Sequence, residues 1–215
     1  MKSADIQEKT KIWHLPHLAH LELLAASFVT QSFSRHSHER FAIGVIERGA
    51  LGFAYRGATH VASTGDINLA YPGEVHNGYG ASEAGWTYRM FYLNPCLLEQ
   101  AAAEIVGRPK GMPFFSAGVI DDEHLAGLVR NLHFSLEKPE TPILEQESKF
   151  INMLTHLVLR YADEPLPLRP VGREKQTIWK VREYIEAHYA EDISVNNLIG
   201  IANLSPFHLI RVFRN

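Results

Sequence analysis

Two histidine-bearing runs hold the residues of this chain best suited to chemistry. In His36-Ser37-His38 the two imidazoles are one residue apart, so on an extended strand they point to the same face. The second run, GDINLAYPGEVH, starts at Gly65 and ends at His76. Three imidazoles such as His36, His38 and His76 can hold a divalent ion (zinc, nickel, iron or manganese) and leave a coordination position open, or they can hydrogen-bond a polar small molecule. Trp86, Tyr88 and Arg89 are further candidates for lining a small-molecule pocket, because such pockets combine apolar walls with a few polar anchors. Trp86, Tyr88, Met90 and Tyr92 alternate with Thr87, Arg89, Phe91 and Leu93, and alternation alone leaves open which side is interior.

A different chemistry is written into the last two dozen residues, DISVNNLIGIANLSPFHLIRVFRN. Asp192 to Ser194 offer N-cap side chains, and Val195, Leu198, Ile199 and Ala202 recur at helical spacing before Asn203, which tolerates a left-handed turn. Ser205 is a second cap and Pro206 suits the first helical position. Leu209, Val212 and Phe213 then share one face and are expected in the core. The other face presents Phe207, His208, Ile210, Arg211 and Arg214, a mixed apolar and basic surface that can enter a DNA major groove. Two surface helices of an ordinary α domain would give the same pattern.

The elements that must position these residues fall into two textures. From about Leu18 to Leu93, short β-like segments are broken by glycine: Phe41 to Glu47 reads as a buried strand ending at Gly49, and Arg56-Gly57 as a hairpin turn. Many short strands with frequent turns point to a sandwich or barrel. After Pro95 the chain reads as helical over Cys96–Val106, Asp121–Leu136 and Leu144–Tyr161, with a further short strand at Phe114-Phe115. The stripe Ile143, Glu147, Phe150, Ile151, Leu154, Leu157, Val158 and Tyr161 is wide enough for two neighbours, whether the barrel, the preceding helix or another subunit. Asp163 to Gly172 holds three prolines and reads as a stiff linker.

Composition excludes several classes. With 21 Lys and Arg against 24 Asp and Glu, the chain has no overall basic character, so DNA binding rests on motif alone. The single cysteine, Cys96, excludes an intrachain disulfide and a cysteine-based zinc finger. No apolar run approaches the roughly 20 residues needed to span a membrane, and the N-terminus lacks a signal-peptide core, so a cytoplasmic location is expected.

H-x-H followed by a strand and then by G-D-(x)n-P-G-x-x-H resembles the paired motifs of cupin barrels. With GVIERGALGFAYRG between and WTYRMFYL after, the run from His17 to Leu93 resembles the sensor domain of AraC-type regulators. The stretch from Thr177 to Asn215, with its core Leu-Ser-Pro-x-x-Leu-x-x-x-Phe, resembles the first helix-turn-helix of the same family. The resemblance implies an α+β chain: a cupin-like sensing and dimerisation domain over 1–162, a linker over 163–173 and a truncated all-α helix-turn-helix domain over 174–215. It implies a ligand-responsive, DNA-binding, homodimeric regulator that is not an enzyme, with base or groove contacts at Phe207, Ile210 and Arg211 and an N-terminal arm, Met1 to Leu18, folded over the effector. In metal-dependent cupins the ligands are three histidines and a glutamate. His36, His38 and His76 match, whereas Ala42 and Ile43 stand where the glutamate would fall, so a metal-dependent cupin oxygenase or isomerase is the weaker alternative.

Overall fold

The structure is a computed structural model that describes residues 8–167 and 174–213. Among the described residues the N-terminal part is β, apart from one 3-10 turn at Pro16–Leu18. Strands β1 (Lys9–Leu15), β2 (Leu21–Phe28), β3 (Ser32–His36), β4 (Phe41–Tyr55), β5 (Ala58–Ser63), β6 (Ile67–Ala70), β7 (His76–Gly80), β8 (Trp86–Leu93) and β9 (Val119–Ile120) pair antiparallel. One path runs β1-β2-β8-β4-β6-β9, while β3, β7 and β5 join through the far half of β4. This is a cupin-like barrel, and β4 belongs to both of its sheets. The strand expected to stop at Gly49 therefore continues to Tyr55.

Glycine makes that continuation possible. At Gly49, β4 turns through φ of 70°, just after a register shift against β8 between Ile46 and Arg48. A Cβ there would lie 2.0 Å from the Gly85 carbonyl oxygen, and one on Gly85, itself at φ of 66°, would lie 1.9 Å from the Phe28 oxygen. A side chain on either would collide with backbone in a conformation that L-residues avoid. The β4–β5 hairpin turns on Arg56 and Gly57, both left-handed, as a two-residue turn of this kind requires.

Alternation gives two buried faces. Leu24, Ala42, Ile46, Phe53, Ala70, Tyr88 and Met90 belong to the interior cluster. Leu23, Phe41, Ile43, Leu69, Phe91 and Leu93, of opposite parity, are also buried. The expected strand at Phe114-Phe115 is absent: Phe115 is buried with its ring 5.3 Å from that of Phe41, and the short strand is β9. Of the arm expected to cover a ligand, residues 1–7 lie outside the described residues. Residues 9–15 are hydrogen-bonded in register to β2 as an edge strand, which commits their backbone to the sheet.

Among the described residues six α-helices follow: α1 (Pro95–Val106), α2 (Glu123–Glu137), α3 (Ile143–Tyr161), α4 (Lys175–His188), α5 (Val195–Ala202) and α6 (Pro206–Phe213). Asn94 caps α1, its side chain accepting from the Cys96 amide. The chain divides into two compact units, Met1–Leu97 with Phe115–Arg130 and Leu98–Phe114 with Asn131–Asn215, so α3 groups with the C-terminal helices. Among the described residues no helix is long and apolar enough to cross a membrane. Most of the expected linker, residues 168–173, lies outside the described residues, as does Arg214.

The two short helices form as their caps dictate. Ser194 accepts from the Asn197 amide, Asn197 returns the bond to the Ser194 amide, and Asn203 ends α5 at φ of 50°. Val181, Ile193, Leu198, Ala202 and Leu209 make their core, with Leu144 of α3 packed against it. The wide stripe on α3 is thus covered on its second edge by the same chain. Leu154 and Leu157, the two candidates for a subunit contact, are fully buried within one subunit. The face expected on α6 is also rotated: α6 is covered by α5 on one side and α3 on another, so Phe207, His208 and Leu209 are buried and Phe213 is 41% exposed. Leu154→Glu should accordingly unfold the subunit rather than release a folded monomer, since a carboxylate there loses water without gaining a partner. Urea denaturation followed by circular dichroism would show it; a folded, monomeric variant would return Leu154 to an interface.

Candidate functional site

The three histidines meet at one end of the barrel. β3 pairs with β7 so that His36 stands opposite His76, and His38 follows two residues later. Ring centroids are 4.5 Å apart for His36 and His76, 4.9 Å for His38 and His76 and 6.3 Å for His36 and His38. Each ring is anchored through Nδ1 to a main-chain carbonyl two residues away: Ser34 at 2.8 Å, Arg40 at 2.6 Å and Glu74 at 2.9 Å respectively. A carbonyl only accepts, so each Nδ1 carries the hydrogen and each neutral ring keeps a bare Nε2 lone pair. Burial, followed by repulsion from neighbouring imidazoles, holds the His38 and His76 pKa below the usual histidine value despite these anchors.

Beneath them lies a cavity of about 130 Å³. Its walls are mostly apolar and aromatic, including Leu24, Phe33, Phe53 and Met90, and its polar groups are the three histidines, Asn68, Asn77, Tyr88 and Tyr92. Among the described residues no Lys, Arg, Asp or Glu lines it. Burial raises the pKa of both phenols, that of Tyr92 to about 12, so they stay neutral. Asn68 is only 7% exposed and its Oδ1 has no hydrogen-bond partner. Gly44 faces it across the β4–β6 pair, and a Cβ there would lie 1.9 Å from Met90 Sδ and 3.0 Å from Asn68 Oδ1. A buried acceptor left without a donor costs about 1–3 kcal/mol, which a ligand supplying that donor would recover.

Of the sequence candidates, His36, His38, His76 and Tyr88 line the cavity. Trp86 does not: it is fully buried against Phe28 and Phe33, with ring centroids at 5.2 and 6.3 Å. Arg89 has the opposite strand parity and lies 3.9 Å from Glu47, which also takes two hydrogen bonds from Arg130. Asn68 and Tyr92 were missed, although a lone amide in the apolar run INLA and the shared parity of Tyr92 with Tyr88 both pointed to them. Ala42 lines the cavity, so a methyl group stands where a fourth ligand would be needed. The tautomers suit metal ligation. The spacing does not: among the described residues no three His, Cys, Asp or Glu side chains are arranged to hold one ion.

The residues assigned to DNA are engaged within the chain. Phe207 is buried, and Ile210 and Arg211 line a groove of about 460 Å³ with Thr155, His156 and Leu159 of α3. The Arg211 guanidinium donates to His208 Nδ1 at 3.1 Å, and His208 Nε2–H donates to Glu174 at 3.0 Å. His208, expected at the surface, is therefore a buried relay between the two.

A barrel with a ligand-sized cavity, carried on the same chain as a capped helix-turn-helix, defines a ligand-responsive transcriptional regulator. A family model, the AraC-like ligand binding domain, matches residues 18–150. The uncharacterized HTH-type transcriptional regulator YbfI of Bacillus subtilis (strain 168) is 30% identical over 209 residues, spanning 97% of this chain and 74% of that protein. The fold is shared with the AraC-like transcriptional activator CuxR, whose crystal structure aligns over 95% of this chain and 73% of its own, at 14% identity and a TM-score of 0.50. The chain belongs to the AraC family of transcriptional regulators.

The lowered pKa values make stability depend on pH. Unfolded histidine protonates near its ordinary value of 6.5, whereas folded His38 and His76 resist protonation. Stability should therefore be complete above about pH 6.5 and fall as pH drops through the window below it, because the unfolded state takes up protons that the native state refuses. Melting temperatures from pH 7.5 to 5.0 would read this, with a shallower slope expected for His38→Gln combined with His76→Gln. An unchanged slope would mean that these rings are solvated.

Proposed function

We propose that the barrel senses an uncharged small molecule that carries hydroxyl or N–H donors on a compact, partly apolar frame. The observation that carries this reading is the orphaned Asn68 Oδ1 inside a cavity without charged walls. The bare Nε2 atoms of His38 and His76 add acceptors, and nothing in the lining would balance a carboxylate or phosphate. The volume suits a molecule about the size of ten waters or fewer. Residues 1–162 act as the sensing domain and 174–215 as the DNA-reading domain, and the regulator works in the cytoplasm as a homodimer so that two readers meet two half-sites. We read its role as regulatory rather than catalytic because the matching family model and relative are those of regulators, and Ala42 stands where a metal-dependent cupin would carry its glutamate.

A divalent ion, zinc, nickel, iron or manganese, is the second reading. The three Nδ1 anchors favour it, and His36, His38 and His76 would have to close on the ion. One experiment separates the two: a thermal-shift screen of neutral polyols and hydroxyaromatics, of their carboxylate and phosphate counterparts, and of divalent metals. A neutral donor-bearing compound should raise the melting temperature, by about 2.7 kcal/mol of stabilisation at a hundredfold excess over Kd, and Asn68→Leu should abolish the shift. Stabilisation by anions alone would contradict this assignment. Stabilisation by a metal alone, lost in His38→Ala, would establish the second reading.

A further inference from the structure

The N-termini of both helices in the helix-turn-helix are occupied by carboxylates from elsewhere in the chain. At α5, Glu147 Oε2 of α3 accepts from the amide of Val195, the first helical residue, at 2.6 Å. At α6, Glu104 Oε2 of α1 accepts from the amide of Phe207, the second, at 3.1 Å, while its other oxygen is held by Gln100 at 3.0 Å. Neither helix needs them as caps, since Ser194 and Ser205 already accept from amides further along. The first amides of a helix are where an anion binds, and in a helix-turn-helix on DNA they are among the groups that meet the phosphate backbone.

We propose that Glu104 and Glu147 form a latch in which two carboxylates stand in for DNA phosphates at α5 and α6 and hold the reader off DNA. The contacts around them agree. Phe207 is buried, while Ile210 and Arg211, both half-buried, line the groove beside α3 and Arg211 is turned to His208. Neither glutamate can stay in place while a phosphate takes its amide, because two anions cannot share one donor and would repel each other. Latch and DNA therefore compete, and any effector that favours release favours DNA by the same factor. Chain connectivity supplies a route: Tyr92 lines the cavity, and three residues later begins α1, whose last turn carries Glu104. The proposal rests on the assignment of α6 as a DNA reader.

The test compares double variants of the whole chain binding a fluorescent mixed-sequence DNA duplex at low salt. Glu104→Ala with Glu147→Ala opens the latch. Glu99→Ala with Glu145→Ala removes the same two charges from the same two helices without touching it, and so controls for the general effect of charge on DNA affinity. The latch pair should bind about tenfold more tightly than the control pair. If the alanine pair fails to fold, Glu104→Gln with Glu147→Gln, which keeps shape and an acceptor oxygen, should bind about threefold more tightly than the control. Equal affinity in latch and control pairs overturns the latch and leaves the reader assignment standing. No binding by any of these proteins overturns both.

Discussion

The barrel depends on one strand serving two sheets. β4 leaves β8 and β6 and continues against β5 and β7, and it can do so only because Gly49 and Gly85 bring backbone to backbone where a methyl group would collide. That corner sets the register of β7 against β4, with Leu51 opposite Gly80 and Tyr55 opposite His76, and through β7 the register of β3. The histidine cluster is thus a consequence of backbone geometry at the opposite end of the same strands. Change the register by one residue and His36 and His76 would no longer share a face.

Within that frame, electrostatics decide what the cavity can hold. Each imidazole donates Nδ1–H to a main-chain carbonyl, and burial holds the His38 and His76 pKa low, so these two rings turn acceptor Nε2 atoms to the cavity. Arg89 and Glu47 are turned by strand parity to the other face, where they neutralise one another with Arg130. The helical unit shows the opposite logic. There the strong charges, Glu104 and Glu147, are placed against helix N-termini, where partial positive charge draws them.

Much of this was legible in the residues. H-x-H and the Pro-Gly run ending at His76 located the cluster, the Arg56-Gly57 turn located the hairpin, and the cap residues Ser194, Asn203 and Pro206 fixed the helix-turn-helix to the residue. What escaped depended on distant partners. Gly49 reads as a strand end until Gly85 is seen beneath it, and Asn68 reads as one polar residue in a strand until Gly44 opposite makes room for its amide. Burial on α6 was misread because periodicity assumes one covered face, and this helix is covered by α3 as well as α5. For the same reason the width of the α3 stripe left a second subunit open as a neighbour, where the chain's own α5 and α6 pack.

The central claim is that the barrel presents a neutral, acceptor-lined cavity, and the protonation of its histidines tests it most directly. Two-bond ¹H–¹⁵N correlation spectra at neutral pH distinguish the imidazolium from each neutral tautomer. The account predicts that His38 and His76 are neutral with the proton on Nδ1 and an unprotonated Nε2. Imidazolium signals from both, or protons on Nε2, would contradict it, because the cavity would then favour anions or would donate where it is held to accept.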